Sequence, residues 1–320
     1  MLEKEIEMYR FILLFMIVTG AVFADNTPIL KEQITAEFQA SKGDIEKKID
    51  DMFKNKIGSI GYSIINPNTY KGKGVGMISF HGMINKKALR PLLLQNPDFG
   101  AYTPFNFLVY KTLDHYTWYG HLSPNAMLDI IGEKNRETRN AFTDMVESLD
   151  GLVTKTLRPS KGKLFIHTQP LPENGLTKMV KKFDVSHDME TFVKNFVMEY
   201  DRDFSKQGFM ITGFIDLKFE YSNMDLDFDK YDAYWISSIS HFEFSSAILN
   251  RGTPEAGIFI PCSIYFYIPK GKNELHIGYA NAENFITALD VKDIKKAAYM
   301  RKIDAKVVEI FKELGFNLLK

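Results

Sequence analysis

Apolar residues in this chain recur with two periods, and the switches between them lay out its elements. Residues 34–38, Ile-Thr-Ala-Glu-Phe, read as a short strand. Ser41 then stands as N-cap to a helix whose apolar positions Ile45, Ile49, Met52 and Phe53 form one stripe. A glycine and a strand follow at residues 58–65, a second strand at 75–83 and a short helix at 86–95. Residues 106–111 and 117–122 read as a hairpin, and Ser123-Pro124 opens the closing helices, the longer of them at 135–157.

The same succession then returns. Residues 179–183 repeat the opening strand and Ser186 the cap, while Met189, Phe192, Val193, Phe196, Val197 and Tyr200 repeat the helical stripe. A strand at 208–215, another at 233–242, a short helix at 244–250 with Gly252 as its stop, a hairpin returning at 275–280 and helices at 281–289 and 291–314 complete it. Pro254, Gly257, Pro261 and Tyr267 repeat Pro97, Gly100, Pro104 and Tyr110 at one offset of 157 (254 − 97). A P-x-x-G-x-x-x-P turn entering an aromatic strand twice is the signature of a duplicated domain. The second copy is longer by seven residues before its Pro-Gly stretch ((254 − 208) − (97 − 58)), and residues 221–230, with Asp225, Asp227 and Asp229, are expected to form a solvated loop. The expected fold is α+β, with two tandem related domains at residues 25–157 and 177–320 and a linker at 158–176 that holds one strand. Both faces of each hairpin are apolar, so the copies are expected to pack as a pseudo-dimer through the faces carrying Tyr110 and Tyr267.

Composition narrows the function classes. Forty basic and forty acidic side chains balance, which gives no global field to draw in nucleic acid or anionic lipid. The single cysteine excludes an intrachain disulfide. The apolar run at residues 11–23, followed by Ala24 and Asp25, reads as a signal peptide at residues 1–24, with an uncleaved N-terminal anchor as the alternative and the only membrane attachment expected. Either reading places the domains outside the cytoplasm, in the periplasm or secreted.

The stretch P-E-A-G-I-F-I-P-C-S-I-Y at residues 254–265, with the element order around it, resembles the bacterial family called domain of unknown function 302. The resemblance covers residues 177–316 well and residues 33–157 more weakly, where Phe105 stands at the motif cysteine's place. It implies a sheet with helices on one face, related to the TATA-binding-protein-like fold. It brings no established activity.

Candidate chemistry is sparse. Cys262, at the head of a strand, would serve a thiol-dependent sulfur carrier or redox enzyme, but it shares a strand face with Ile264 and Phe266, the face that helices should cover. His276 is the candidate for a metal ligand, although no H-x-x-x-H pair occurs in the chain. The opposite hairpin face offers Asn106, Tyr110, Ser263, Tyr265 and Tyr267, the composition of a small-ligand pocket. No cofactor fingerprint is present. The expected function is an exported accessory or binding protein for a small molecule or periplasmic partner.

Overall fold

The first six-stranded sheet of the computed structural model has the order β2-β3-β4-β5-β1-β6, all antiparallel, with β1 at Ile34–Lys42, β2 at Ser63–Gly72, β3 at Val75–Ile84, β4 at Phe105–Lys111, β5 at Tyr116–Leu122 and β6 at Lys161–Ile166. Described are residues 34–43, 45–72, 75–167, 169–184, 189–241, 243–245 and 254–319. Residues 1–24, expected to be a signal peptide, and Ser186 and Gly252 lie outside them. The helices of this half are α1 (Glu46–Asn55), α2 (Lys86–Gln95), α3 (Pro124–Ile130) and α4 (Arg136–Leu157).

The second sheet repeats the order as β8-β9-β10-β11-β7-β12, with β7 at Leu176–Lys182, β8 at Phe209–Asp216, β9 at Tyr231–His241, β10 at Cys262–Pro269, β11 at Glu274–Ala280 and β12 at Asn317–Leu318. Its helices are α5 (Met189–Lys206), α6 (Leu217–Asn223), α7 (Ala282–Ala288) and α8 (Ile294–Glu313). The expected α+β architecture of two antiparallel sheets with helices is therefore what the chain adopts. β6, the strand expected within the linker, is an edge of the first sheet.

Local chemistry explains most boundaries. Asn135 caps α4 by accepting from the amides of Glu137 and Thr138, and Ser123 caps α3 by accepting from that of Ala126. Ser41 departs from its expected role. β1 pairs with β5 as far as Lys42, so Ser41 lies within the strand and its hydroxyl meets Tyr119 Oη and the Leu157 carbonyl, each at 3.0 Å. Helix α1 starts at Glu46 without a side-chain cap.

Each sheet buries one face under its helices. In the second, Phe266 stacks on Trp235 with ring centroids 5.0 Å apart and meets Tyr200 of α5 and Phe311 of α8. Phe107 meets Phe53 of α1 in the first. The other faces press the two halves together through the repeated turns, 3-10 segments at Pro97–Tyr102 and Pro254–Phe259. Each turn lies on the central hairpin strand of the opposite half. Tyr110 Oη donates to Glu255 Oε1 at 2.8 Å, and Tyr265 Oη donates to Asp98 Oδ1 at 2.5 Å. Lys163 and Lys178 pair with the same two carboxylates.

The extra length in the second half leaves Asp225, Asp227 and Asp229 exposed, as expected of a solvated loop, but it is also anchored as a clamp on the first half. Tyr221 and Phe228 are buried, Glu220 pairs with Lys86, and the Tyr221 hydroxyl donates to the Lys86 carbonyl at 2.9 Å. Helix α2 would otherwise end with orphan carbonyls. Tyr231 Oη donates to Leu93 O at 2.6 Å, Lys230 Nζ to Leu94 O at 2.6 Å, and Tyr234 Oη to Pro97 O at 2.6 Å. The end of a first-half helix is thus capped by the second half.

This packing explains the repeated glycines. A Cβ on Gly100 would lie 2.3 Å from Tyr234 Oη and 2.4 Å from Tyr265 Cβ, whereas one on Gly257 would lie 2.7 Å from Leu108 Cδ1 and 2.9 Å from Phe80 Cε1. The atoms facing Gly257 are side-chain ends that can shift; Tyr265 Cβ is fixed to its backbone. Gly100→Ala should therefore cost about 3 kcal/mol or more, and Gly257→Ala about 1 kcal/mol, on the usual scale of overpacking. Urea denaturation checks both, and equal midpoints for the two variants would contradict the packing described.

Candidate functional site

Four of the five residues expected to line a ligand cleft between the hairpins are joined to the opposite half instead. Asn106 Nδ2 donates to Ile258 O at 3.1 Å and to Pro261 O at 2.9 Å, while Ser263 Oγ donates to Pro104 O at 3.3 Å. Tyr110 and Tyr265 hold the carboxylates named above, and Tyr267 stacks on His276 with centroids 4.8 Å apart. A cavity of about 20 Å³ between Asn106, Ser263, Tyr102 and Cys262 is what remains there. That is room for a single water. Asn106, Tyr110, Ser263 and Tyr265 build the interface, Tyr267 packs against rings of its own half, and the five do not share an open cleft.

Cys262 lies on the helix-covered side of β10, and its thiol donates to Phe259 O at 3.1 Å. Burial, assisted by the Asp304 charge, pushes the thiol up to about 12, which opposes formation of the nucleophilic thiolate. His276 pairs across the ladder with Tyr267, which puts it on the sheet face opposite Cys262 rather than beside it. Its Nε2 lies 3.5 Å from Glu274. Among the described residues no three His, Cys, Asp or Glu side chains cluster as a metal site.

An open cleft lies elsewhere, between the first sheet and α4, with a volume of about 280 Å³. Strand alternation places Glu37 and Gln39 of β1, Phe107 of β4, and Tyr119 and His121 of β5 on one face. Thr143, Glu147, Asp150 and Val153 follow at helical spacing along the overlying side of α4. The floor is aromatic and the rim polar. Three carboxylates, those of Glu37, Glu147 and Asp150, face it.

His121 sits at the base of this cleft and is buried. Its Nε2 lies 2.8 Å from Asp150 Oδ1, and its Nδ1 lies 2.7 Å from the Leu122 carbonyl. A carbonyl and an ionised carboxylate both accept, so these are the contacts that a doubly protonated ring makes. Burial pulls the imidazole pKa down, but the Asp150 charge and hydrogen bond, the Leu122 carbonyl and Glu37 outweigh it and leave it raised. With both nitrogens engaged, the ring has no free lone pair to act as a general base. At the equivalent position of the second sheet, Tyr279 faces Asp304, whose carboxyl burial raises to about 6.

A family model described as Domain of unknown function DUF302 matches residues 77–155. The chain contains a DUF302 domain. The matched DUF302 segment runs from within β3 into α4 and supplies Phe107, Tyr119, His121, Glu147 and Asp150 of the cleft, while Glu37 comes from β1 outside it. It lies in the first half, whereas the motif that carries the resemblance in sequence lies in the second. A crystal structure of an uncharacterized conserved protein DUF302 from Bacillus stearothermophilus is similar at 18% identity, covering 41% of this chain and 96% of that one with a TM-score of 0.33. No curated protein matches.

Sequence reasoning had no means of pairing His121 with Asp150, which is 29 residues away. The available signal was an acidic side chain at the border of the apolar stripe of α4. Linkage gives the pH dependence. A histidine with a raised folded pKa stabilises fully below the ordinary value of 6.5, and that stability is lost as pH rises through the raised value. Chemical denaturation of the native protein should show stability falling as pH rises above 6.5, and His121→Gln should flatten that fall. An unchanged slope in the variant would show that His121 is not the charged group.

Proposed function

We propose that this chain is an exported, duplicated-domain protein that binds a small organic cation in the cleft over Phe107 and Tyr119. The observation that carries the reading is the closed His121–Asp150 pair at the base of an open, carboxylate-rimmed hollow. The hollow is close in size to small-ligand sites, which start at about 300 Å³. Three carboxylates against one imidazolium favour a positively charged group, and the aromatic floor suits its apolar body. A histidine with both nitrogens occupied supports binding rather than acid–base catalysis.

Duplication is supported by the shared strand order of the two sheets and by the turn motif repeated at one offset. Export is supported by the apolar run at residues 11–23 and its Val22-Phe-Ala24 junction, and intact mass of the mature protein should place its N-terminus at Asp25. The competing sulfur-carrier or redox reading rests on Cys262, whose environment keeps the thiol protonated.

A thermal-shift screen of small amines and carboxylic acids tests the ligand class. At about 100-fold saturation a cognate amine should raise Tm by about 5 °C. Glu37→Gln combined with Glu147→Gln should abolish that rise. A response confined to anions, or one that survives in the double variant, would remove the cleft from consideration.

A further inference from the structure

A second hollow lies on the far side of α4, lined by Lys48 and Lys56 of the α1 region and by Leu152, Lys155, Thr156 and Arg158 at the end of α4, with a volume of about 420 Å³. At 100° per residue, Leu152 and Thr156 lie about 120–180° around α4 from Glu147 and Asp150, and Lys155 about 140° from Asp150, and the two hollows share no lining residue. Four cationic side chains line it and no carboxylate does. Lys56 lies 3.8 Å from Asp51; among the described residues Lys48, Lys155 and Arg158 have no ion-pair partner.

A bland account assigns these cations to the helix ends, because α1 and α4 both terminate here. That account is too small. Each helix C-terminus contributes about half a negative charge, so two ends and Asp51 leave a surplus of about two positive charges. Lys48 lies in the first turn of α1, at the end opposite its C-terminus. Arg158 adds an independent point. It occupies the left-handed position that closes α4, with φ 51°, where the corresponding end of α8 uses Gly315 at φ 88°. A non-glycine residue there is strained by its Cβ against the following carbonyl. The chain therefore carries a guanidinium where glycine would be more stable. In a chain with no net charge, this concentration of one sign is local.

We propose that this hollow binds a phosphate group, with Lys48, Lys155 and Arg158 as its donors, the Thr156 hydroxyl as a further partner and Leu152 as an apolar seat for the organic part. Guanidinium and ammonium donors suit a tetrahedral oxyanion with several acceptor oxygens. The group could be carried by a soluble phosphate ester or by a lipid headgroup, and the experiment separates these sources.

The full chain is titrated with inorganic phosphate by calorimetry and, separately, sedimented with vesicles of phosphatidylglycerol and of phosphatidylcholine. Binding of inorganic phosphate that weakens at higher ionic strength, and at least about tenfold in Lys48→Gln/Lys155→Gln, supports the site. Such binding without vesicle association assigns a soluble ester. Co-sedimentation with phosphatidylglycerol alone, lost in the variant, assigns a headgroup. Arg158→Gly is the control for folding, since it relieves the left-handed residue and should melt no lower than the native chain while still weakening phosphate. Absence of binding to both probes, or equal binding by the native chain and both variants, overturns the proposal.

Discussion

The molecule depends on two turns that each fit against a strand belonging to the other half. A turn can approach a strand this closely where a glycine removes the Cβ and a partner satisfies the polar groups carried in. Gly100 and Gly257 meet the first condition, and the hydroxyls of Tyr265 and Tyr110 on Asp98 and Glu255 meet the second. Burying a carboxylate without such donors would cost several kcal/mol. The prolines frame the segment, the glycine admits it and the acid fastens it. The motif is therefore a docking device between halves, and its recurrence in the chain reflects reciprocity in space.

Much of this architecture was legible because it is local. Strand alternation separated the helix-covered face of β10 from the face carrying Tyr265 and Tyr267, and apolar periodicity located α2, α4 and both hairpins. What escaped were relations between distant residues. The acids of the two turns looked like ordinary turn residues, because the tyrosines that receive them are more than a hundred positions away. Asp225, Asp227 and Asp229 suggested a solvated loop, while the neighbours that matter, Tyr221 and Phe228, are buried in the clamp on α2. Ser41 is a favourable cap by type, but its amide and carbonyl lie within a strand already paired along its length.

The candidate site was less legible than the fold for a related reason. The two sheets share their strand order but not their polar interior. Phe105 and His121 stand on the first where Cys262 and Tyr279 stand on the second, so one half encloses a histidine paired with a carboxylate and the other a thiol beside a protonatable carboxyl. Repetition reveals what the halves have in common, which is docking. The chemistry lies in their differences, where one half is no guide to the other.

The capping of α2 by Tyr231 and Lys230 bears on the order in which the chain can be completed. During synthesis the first half emerges with the carbonyls of Leu93 and Leu94 open and with Leu108 and Tyr110 lacking their cover. Its donors are made more than a hundred residues later. Until then a nascent first half exposes an apolar sheet face, the kind of surface through which chains aggregate or recruit chaperones. The finished protein is thus a single cooperative unit whose N-terminal part is the one most in need of protection while it waits.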